Sequence, residues 1–374
     1  MNIEKSRISP LQFMFAIMCF IRSSSLLSSF FTPIVNQDSW LVIIFGMIVS
    51  LPVLWIYISL SKAFPKSNLI EINDLVFGRI GGKIISAFYL WFFFTLTALN
   101  LRDLGIFVGK STMSKTPPVL IIIVFILLCA WAVYYGLEVV TRYGIVFILI
   151  SSAILLLSFL VSVNIMHRES FLPILNQPLK SYIQGTNIIT MIPFGELVVF
   201  LMIVPYVDFK QKKLVRYFMG GFLLGGLLLL AVILRDLAIL GNTLKYFSLP
   251  SFETLRIIRL FDSLGHMEIL FAILLIILLF FKVTLLFYIS LLALSYWLKI
   301  ETFRPFILPV AALLVAYSFI MFESSMQQTA FAREIIPFFW PIFEMLLPFI
   351  TLIVAYIREL PKKNREKEKE DVKV

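Results

Sequence analysis

Ten apolar runs joined by short connectors dominate this chain, at 8–35, 40–62, 84–104, 118–136, 142–163, 183–206, 217–241, 268–298, 305–322 and 337–357. Roughly 20 apolar residues cross a bilayer as a helix, because a backbone in hydrocarbon must satisfy its own hydrogen bonds. Ten such runs use up most of 374 residues and leave little for a soluble domain. The balance of residues agrees: 60% are hydrophobic and 14% charged, where soluble domains run at about half and a quarter. An ordinary globular enzyme and a disordered chain are both excluded. The expected fold class is an all-α polytopic membrane protein with about ten transmembrane helices.

The N-terminus imitates a secretion signal, with Lys5 and Arg7 before the apolar run Ile8 to Ile21. No small-residue cleavage site follows, and the run continues to Val35, so it reads as the first membrane helix. Cys19 and Cys129 fall inside expected spans, which disfavours a disulfide framework and offers no metal-ligand spacing. The net charge of +10 invites a nucleic-acid reading, but its distribution points to topology. With both termini in the cytoplasm, 20 Lys and Arg lie on the cytoplasmic side and 10 outside, with Arg22 and Lys282 inside the membrane. That is the positive-inside bias. The expected partner is the lipid bilayer, with no nucleic acid. Residues 361–374 read as a charged, disordered cytoplasmic tail after a membrane domain spanning 1–360.

An internal echo divides that domain. Phe64-Pro65 leads into the amphipathic stretch Leu69 to Gly78, and Phe247 with Pro250 leads into Ser251 to Phe261. Leu69, Ile72 and Val76 share one helical face, as do Phe252, Leu255 and Ile258. The echo recurs five helices on. Because five is odd, the halves insert with opposite orientation, as in inverted-repeat transporters. The expected arrangement is a 5+5 inverted repeat, with repeat one at about 8–163 and repeat two at about 183–357.

Helices 1 and 6 then correspond, and both are interrupted. Helix 1 holds Arg22-Ser23-Ser24-Ser25-Leu26, and helix 6 holds Pro193-Phe194-Gly195-Glu196. An unwound stretch survives in hydrocarbon only where it lines a cavity or meets a ligand. There, freed amides hold a carboxylate and freed carbonyls hold an ammonium, which suits a small amino acid. The candidate ligand-binding residues are therefore Arg22, Ser23, Ser24, Ser25, Leu26, Phe194, Gly195 and Glu196. The serines also fit simple helix packing. Glu196, a carboxylate in an apolar span, fits proton coupling, a ligand amine or a structural pair. Lys282, mid-span in helix 8, fits either a surrogate for a sodium ion or a fixed pair with Glu196. Arg22 fits a water-filled vestibule or an acidic partner such as Glu196.

Other motifs carry less. Gly220-Gly221 and Gly225-Gly226, small residues four apart on helix 7, are a helix-packing signal. Gly81-Gly82-Lys83 lacks phosphate-loop spacing, and His266-Met267-Glu268 is not a zinc motif. No nucleophile–base constellation stands out, so no enzyme, catalytic residue, metal site or cofactor is expected.

Read together, these features resemble the spore germination permease family, the membrane B subunit of nutrient germinant receptors in endospore-forming bacteria. That family is grouped with the amino acid–polyamine–organocation transporters. The resemblance rests on Ile8-Ser9-Pro10-Leu11-Gln12-Phe13, Ala63-Phe64-Pro65 with Leu69-Ile70-Glu71, Leu101-Arg102-Asp103, Tyr135-Gly136-Leu137-Glu138, Pro193-Phe194-Gly195-Glu196 and Phe281-Lys282, in that order. The chain departs from the family where Arg22 or Ser23 replaces a glycine. The resemblance implies a LeuT-like fold in the spore inner membrane. It further implies that the chain binds a small, amino-acid-like germinant and signals to germinant receptor A and C subunits. An active proton-coupled amino-acid transporter is the other function the same core would serve.

Overall fold

The computed structural model describes residues 7–24, 28–111, 115–208, 211–257 and 267–360. Ser25, Leu26, Ile258, His266 and the expected tail lie outside them. Among the described residues the fold is helical throughout, and the one extended pairing is an isolated bridge between Ile8 and Val207. The helices are α1 (Pro10–Arg22), α2 (Ser28–Val35), α3 (Ser39–Ala63), α4 (Leu69–Ser111), α5 (Pro118–Tyr134), α6 (Leu137–Ser162), α7 (Leu179–Ile189), α8 (Gln211–Leu240), α9 (Pro250–Ile257), α10 (Met267–Leu298), α11 (Ile307–Ile320), α12 (Ser325–Glu334), α13 (Ile336–Pro341) and α14 (Leu347–Ile357).

Among the described residues seven apolar helices are long enough to cross a membrane, and the bent pair Arg304–Ile320 with Ser325–Glu334, taken as one span, makes an eighth. Two shorter apolar helices, α1 and α5, add to these, and α1 precedes α2, which opens the Ser28–Ala63 span. The chain is thus a multi-pass membrane protein.

Local chemistry explains where the spans begin. Ser9 caps α1 in a reciprocal box with Gln12, and Pro10 sits in the first turn, where its missing N–H costs nothing. Both connectors of the echo are helical. Gly78, at φ 78°, detaches the amphipathic first part of α4 from the third span, a backbone conformation that favours glycine. Leu69, Ile72 and Val76 are buried, as is Leu255 of α9.

The sixth span is the centre of the molecule. The apolar stretch within Leu179–Met202 is 89% buried, against 28% for the peripheral Leu137–Ile165. The start of the first span meets the end of the sixth. Ile8 N–H donates to Tyr206 O at 3.0 Å, and Asp208 N–H donates to Ile8 O at 2.9 Å. The start of the first span is therefore held beside the end of the sixth. The paired glycines of α8 behave as packing residues: a Cβ on Gly221 would fall 2.8 Å from both Ile17 Cβ and Met14 O of α1.

Two features depart from the expected outline. A polar connector was expected after residue 322, but α12 forms there, capped by Ser324 and bent 90° from the ninth span. Its composition, with two glutamines, an arginine and a glutamate, carries no membrane signal. The tenth span, expected as one helix, widens into a π turn at Ile342–Leu346 between α13 and α14.

Candidate functional site

Both expected interruptions are present. In the first span α1 stops at Arg22, Ser23 and Ser24 form a turn, and α2 starts at Ser28. In the sixth span α7 gives way at Thr190 to a π turn in which Ile192 is extended (φ −120°, ψ 114°), and tight 3-10 turns run from Gly195 to Met202.

A small cavity of about 50 Å³ lies between the breaks. Its walls include Ser23 and Ser24 of the first break, Ile192 and Glu196 of the sixth, Asp103 of α4 and Lys282 of α10. Trp340 and Phe331 supply apolar wall, and Gln328 of α12 closes one side.

Charge at this site is concentrated on Lys282, which is 1% exposed. Its Nζ donates to Ser24 Oγ at 2.7 Å and lies 2.7 Å from Glu196 Oε2. The approach to Glu196 falls outside hydrogen-bond angles and is a charge contact. The same ammonium stands 4.7 Å from the centre of the Phe20 ring, a cation–π geometry. Ser23 Oγ sits 2.6 Å from Cys19 O and 2.7 Å from Leu278 O, so it fastens the end of α1 to α10.

The structure therefore brings Ser23, Ser24, Glu196 and Lys282 together. It does not bring the other candidates into the cavity wall. Arg22 is buried and feels the charges of Arg235 and Asp236, and Glu196 is engaged by Lys282 instead. Phe194 packs edge-on against Phe222 of α8, with ring centres 5.0 Å apart. Gly195 offers its carbonyl to the Tyr57 hydroxyl at 2.9 Å.

Two acidic residues that sequence reasoning passed over join the site. Asp103 accepts from Gln328 Nε2 at 2.6 Å, and Gln328 Oε1 accepts from Arg102 Nε at 3.1 Å. Glu344, in the π turn of the tenth span, is fully buried against Gly195. A carboxylate in the middle of an apolar span was the available signal for Glu344, the same one that singles out Glu196. Beyond Phe30, Asp103 and Gln328, which line both spaces, a wider cavity of about 360 Å³ is bordered by Lys245 and by Arg333 of α12. Arg333 donates to Ser29 O at 2.7 Å and Phe30 O at 3.0 Å, so α12 holds the second half of the first span.

A side chain at position 195 would displace Glu344. A Cβ there would stand 2.1 Å from Glu344 Oε2 and 2.7 Å from its Cδ, and the carboxyl group has no solvent to retreat into. Gly195→Ala is expected to lower stability by about 1–3 kcal/mol, the usual cost of overpacking. Adding Glu344→Ala should return most of that loss. Melting of the purified variants in detergent measures both, and additive losses would break the link.

Two broken spans with a charged hollow between them are the layout of an inverted-repeat transporter fold. Solved structures agree on the fold. Mhp1, a nucleobase-cation-symport-1 family transporter in a closed conformation with bromovinylhydantoin bound, aligns with TM-score 0.61 and 15% identity over 87% of this chain and 76% of its own. MhsT in complex with L-phenylalanine aligns with TM-score 0.61 and 10% identity over 96% of this chain and 100% of its own. Residues 7–330 match the family profile described as spore germination protein. The chain belongs to that family. Spore germination protein KB of Bacillus subtilis (strain 168) is 26% identical over 98% of both chains. The putative spore germination protein YfkT of the same organism is 24% identical over 87% of this chain and 89% of its own. Family and fold are thus of permease type.

Proposed function

We propose that this chain is the nutrient-sensing membrane subunit of an endospore germinant receptor. It binds a small amino acid in the cavity between the broken spans and passes the signal to A and C subunits in the spore inner membrane, with both termini cytoplasmic. One observation carries the reading: a small hollow with both signs of charge and two interrupted backbones on its wall. Lys282, Glu196 and Asp103 bring one ammonium and two carboxylates to it. A ligand ammonium is favoured beside Asp103 and Glu196, and a ligand carboxylate at the opened turn of Ser23 and Ser24. Small size follows from volume. A cavity of about 50 Å³ has room for about four waters, which suits a ligand of glycine or alanine size. Signalling then needs only that the ligand bind one state of the core better than another.

The same core serves a proton-coupled amino-acid transporter, and the buried ammonium of Lys282, doing the work of a sodium ion, favours that second reading. Two experiments decide. Single amino acids, starting with glycine and L-alanine, are added to the purified protein and to spores that carry only this receptor. A saturating ligand at about 100 times its Kd should add about 2.7 kcal/mol to stability and raise the melting temperature. The same compound should trigger germination only when partner subunits are present. No melting shift and no germination with any amino acid would overturn the receptor reading. Concentrative uptake into proteoliposomes without partners would replace it with the transporter.

A further inference from the structure

Two carboxyl groups flank one turn of the sixth span. Glu196 faces the cavity and meets Lys282. Glu344 lies behind the turn, in the space that a side chain at Gly195 would take. It is 0% exposed, and neither Oε1 nor Oε2 has a hydrogen-bond partner.

The groups around Glu344 are committed elsewhere. Tyr57, from α3, places its hydroxyl 2.9 Å from Gly195 O and 2.5 Å from Glu344 O, both backbone carbonyls. Tyr89, from α4, donates to Phe343 O at 3.0 Å. The Lys282 ammonium of α10 is held by Ser24 and Glu196. Two carboxyl groups thus share the field of a single ammonium, and that ammonium lies against Glu196. An ionised carboxylate buried with no protein donor is costly, and carrying a proton relieves that cost. The π turn at Ile342–Leu346 that carries Glu344 is also a widened, weakened point in the helix ladder, a feature frequent at functional sites.

We propose that Glu344 binds an exchangeable proton, held as the neutral acid in this state and released to water when the sixth-span turn opens. The bond that breaks on release is the carboxyl O–H, the proton leaves on one water molecule as hydronium, and the carboxylate left behind accepts hydrogen bonds from other waters that enter with it. The release half of this proposal rests on the two-state core proposed above. The protonation half does not, and it is tested without any ligand.

Infrared spectra of the purified full chain at neutral pH should show the carbonyl band of a buried, protonated carboxylic acid. Growth on carboxyl-labelled (carbon-13) glutamate should shift that band, and Glu344→Gln should remove it, while Asp103→Asn leaves it in place. In heavy water the band should shift as the proton exchanges. Absence of such a band in the unmodified protein would overturn the proposal, as would its persistence in Glu344→Gln. A band that never shifts in heavy water would overturn exchange. The labelling arm assigns the band to a glutamate without any variant; should the Gln variant fail to fold, Glu196→Gln should keep the labelled band, and its loss there would assign the proton to Glu196 and overturn the proposal.

Discussion

Replacing Lys282 with methionine is expected to cost this protein about 3–5 kcal/mol, the usual consequence of leaving a buried charge without its partner. The ammonium is the group that Glu196 Oε2 meets, at 2.7 Å, and both side chains are almost wholly shielded. Methionine fills nearly the same volume, so the loss is electrostatic and not a packing defect. Glu196→Gln in the same chain should restore most of the melting temperature, because the orphaned charge is gone. Germination separates the two roles open to Lys282. If it serves only as a structural pair, the double variant recovers the response along with stability. If it ties the first span to α10 through Ser24, stability returns and the response does not. A methionine variant with unchanged melting and normal germination kinetics would remove both roles.

Ser24→Phe should abolish the response to amino acids while leaving membrane insertion intact. Ser24 lines the cavity, whose volume of about 50 Å³ a phenyl ring would exceed. The substitution lies in a turn and not inside a helix, so its stability cost stays within the range of about 1–3 kcal/mol for overpacking. Ser24→Ala is the control. It keeps the hollow and loses one hydrogen bond to a charged group, worth about 1.5–3 kcal/mol, so its dose response should shift without vanishing. Dose–response curves on spores read both variants, and an unchanged curve for the phenylalanine variant would move the ligand out of this cavity.

The fold was largely legible because bilayer crossing imposes a long apolar period that few other structures share. The breaks were legible for the complementary reason: Ser23-Ser24 and Pro193-Phe194-Gly195-Glu196 place polar or helix-disrupting residues where hydrocarbon forbids them. What stayed hidden depends on facing. Arg22 and Ser24 are two residues apart, yet of the two only Ser24 reaches the cavity wall, because Arg22 is still the last residue of α1 and Ser24 lies in the turn that follows it. Helix α12 was hidden because it is capped and polar and never enters the hydropathy signal, although its Gln328 and Arg333 border the cavities. Glu344 carried a signal equal to that of Glu196. Its π turn, however, is set by packing against Gly195 and the tyrosines of α3 and α4, contacts between residues far apart in sequence.

The staple between Ile8 and Val207 has a mechanical consequence. It pins one end of each fractured rod to the other, so neither can swing freely at that edge. The travel needed to uncover the hollow has to come from the opposite limbs, α2 and α7, pivoting about their fractures. Both limbs pack against α12, which makes that short polar helix the place where a small displacement would be felt first.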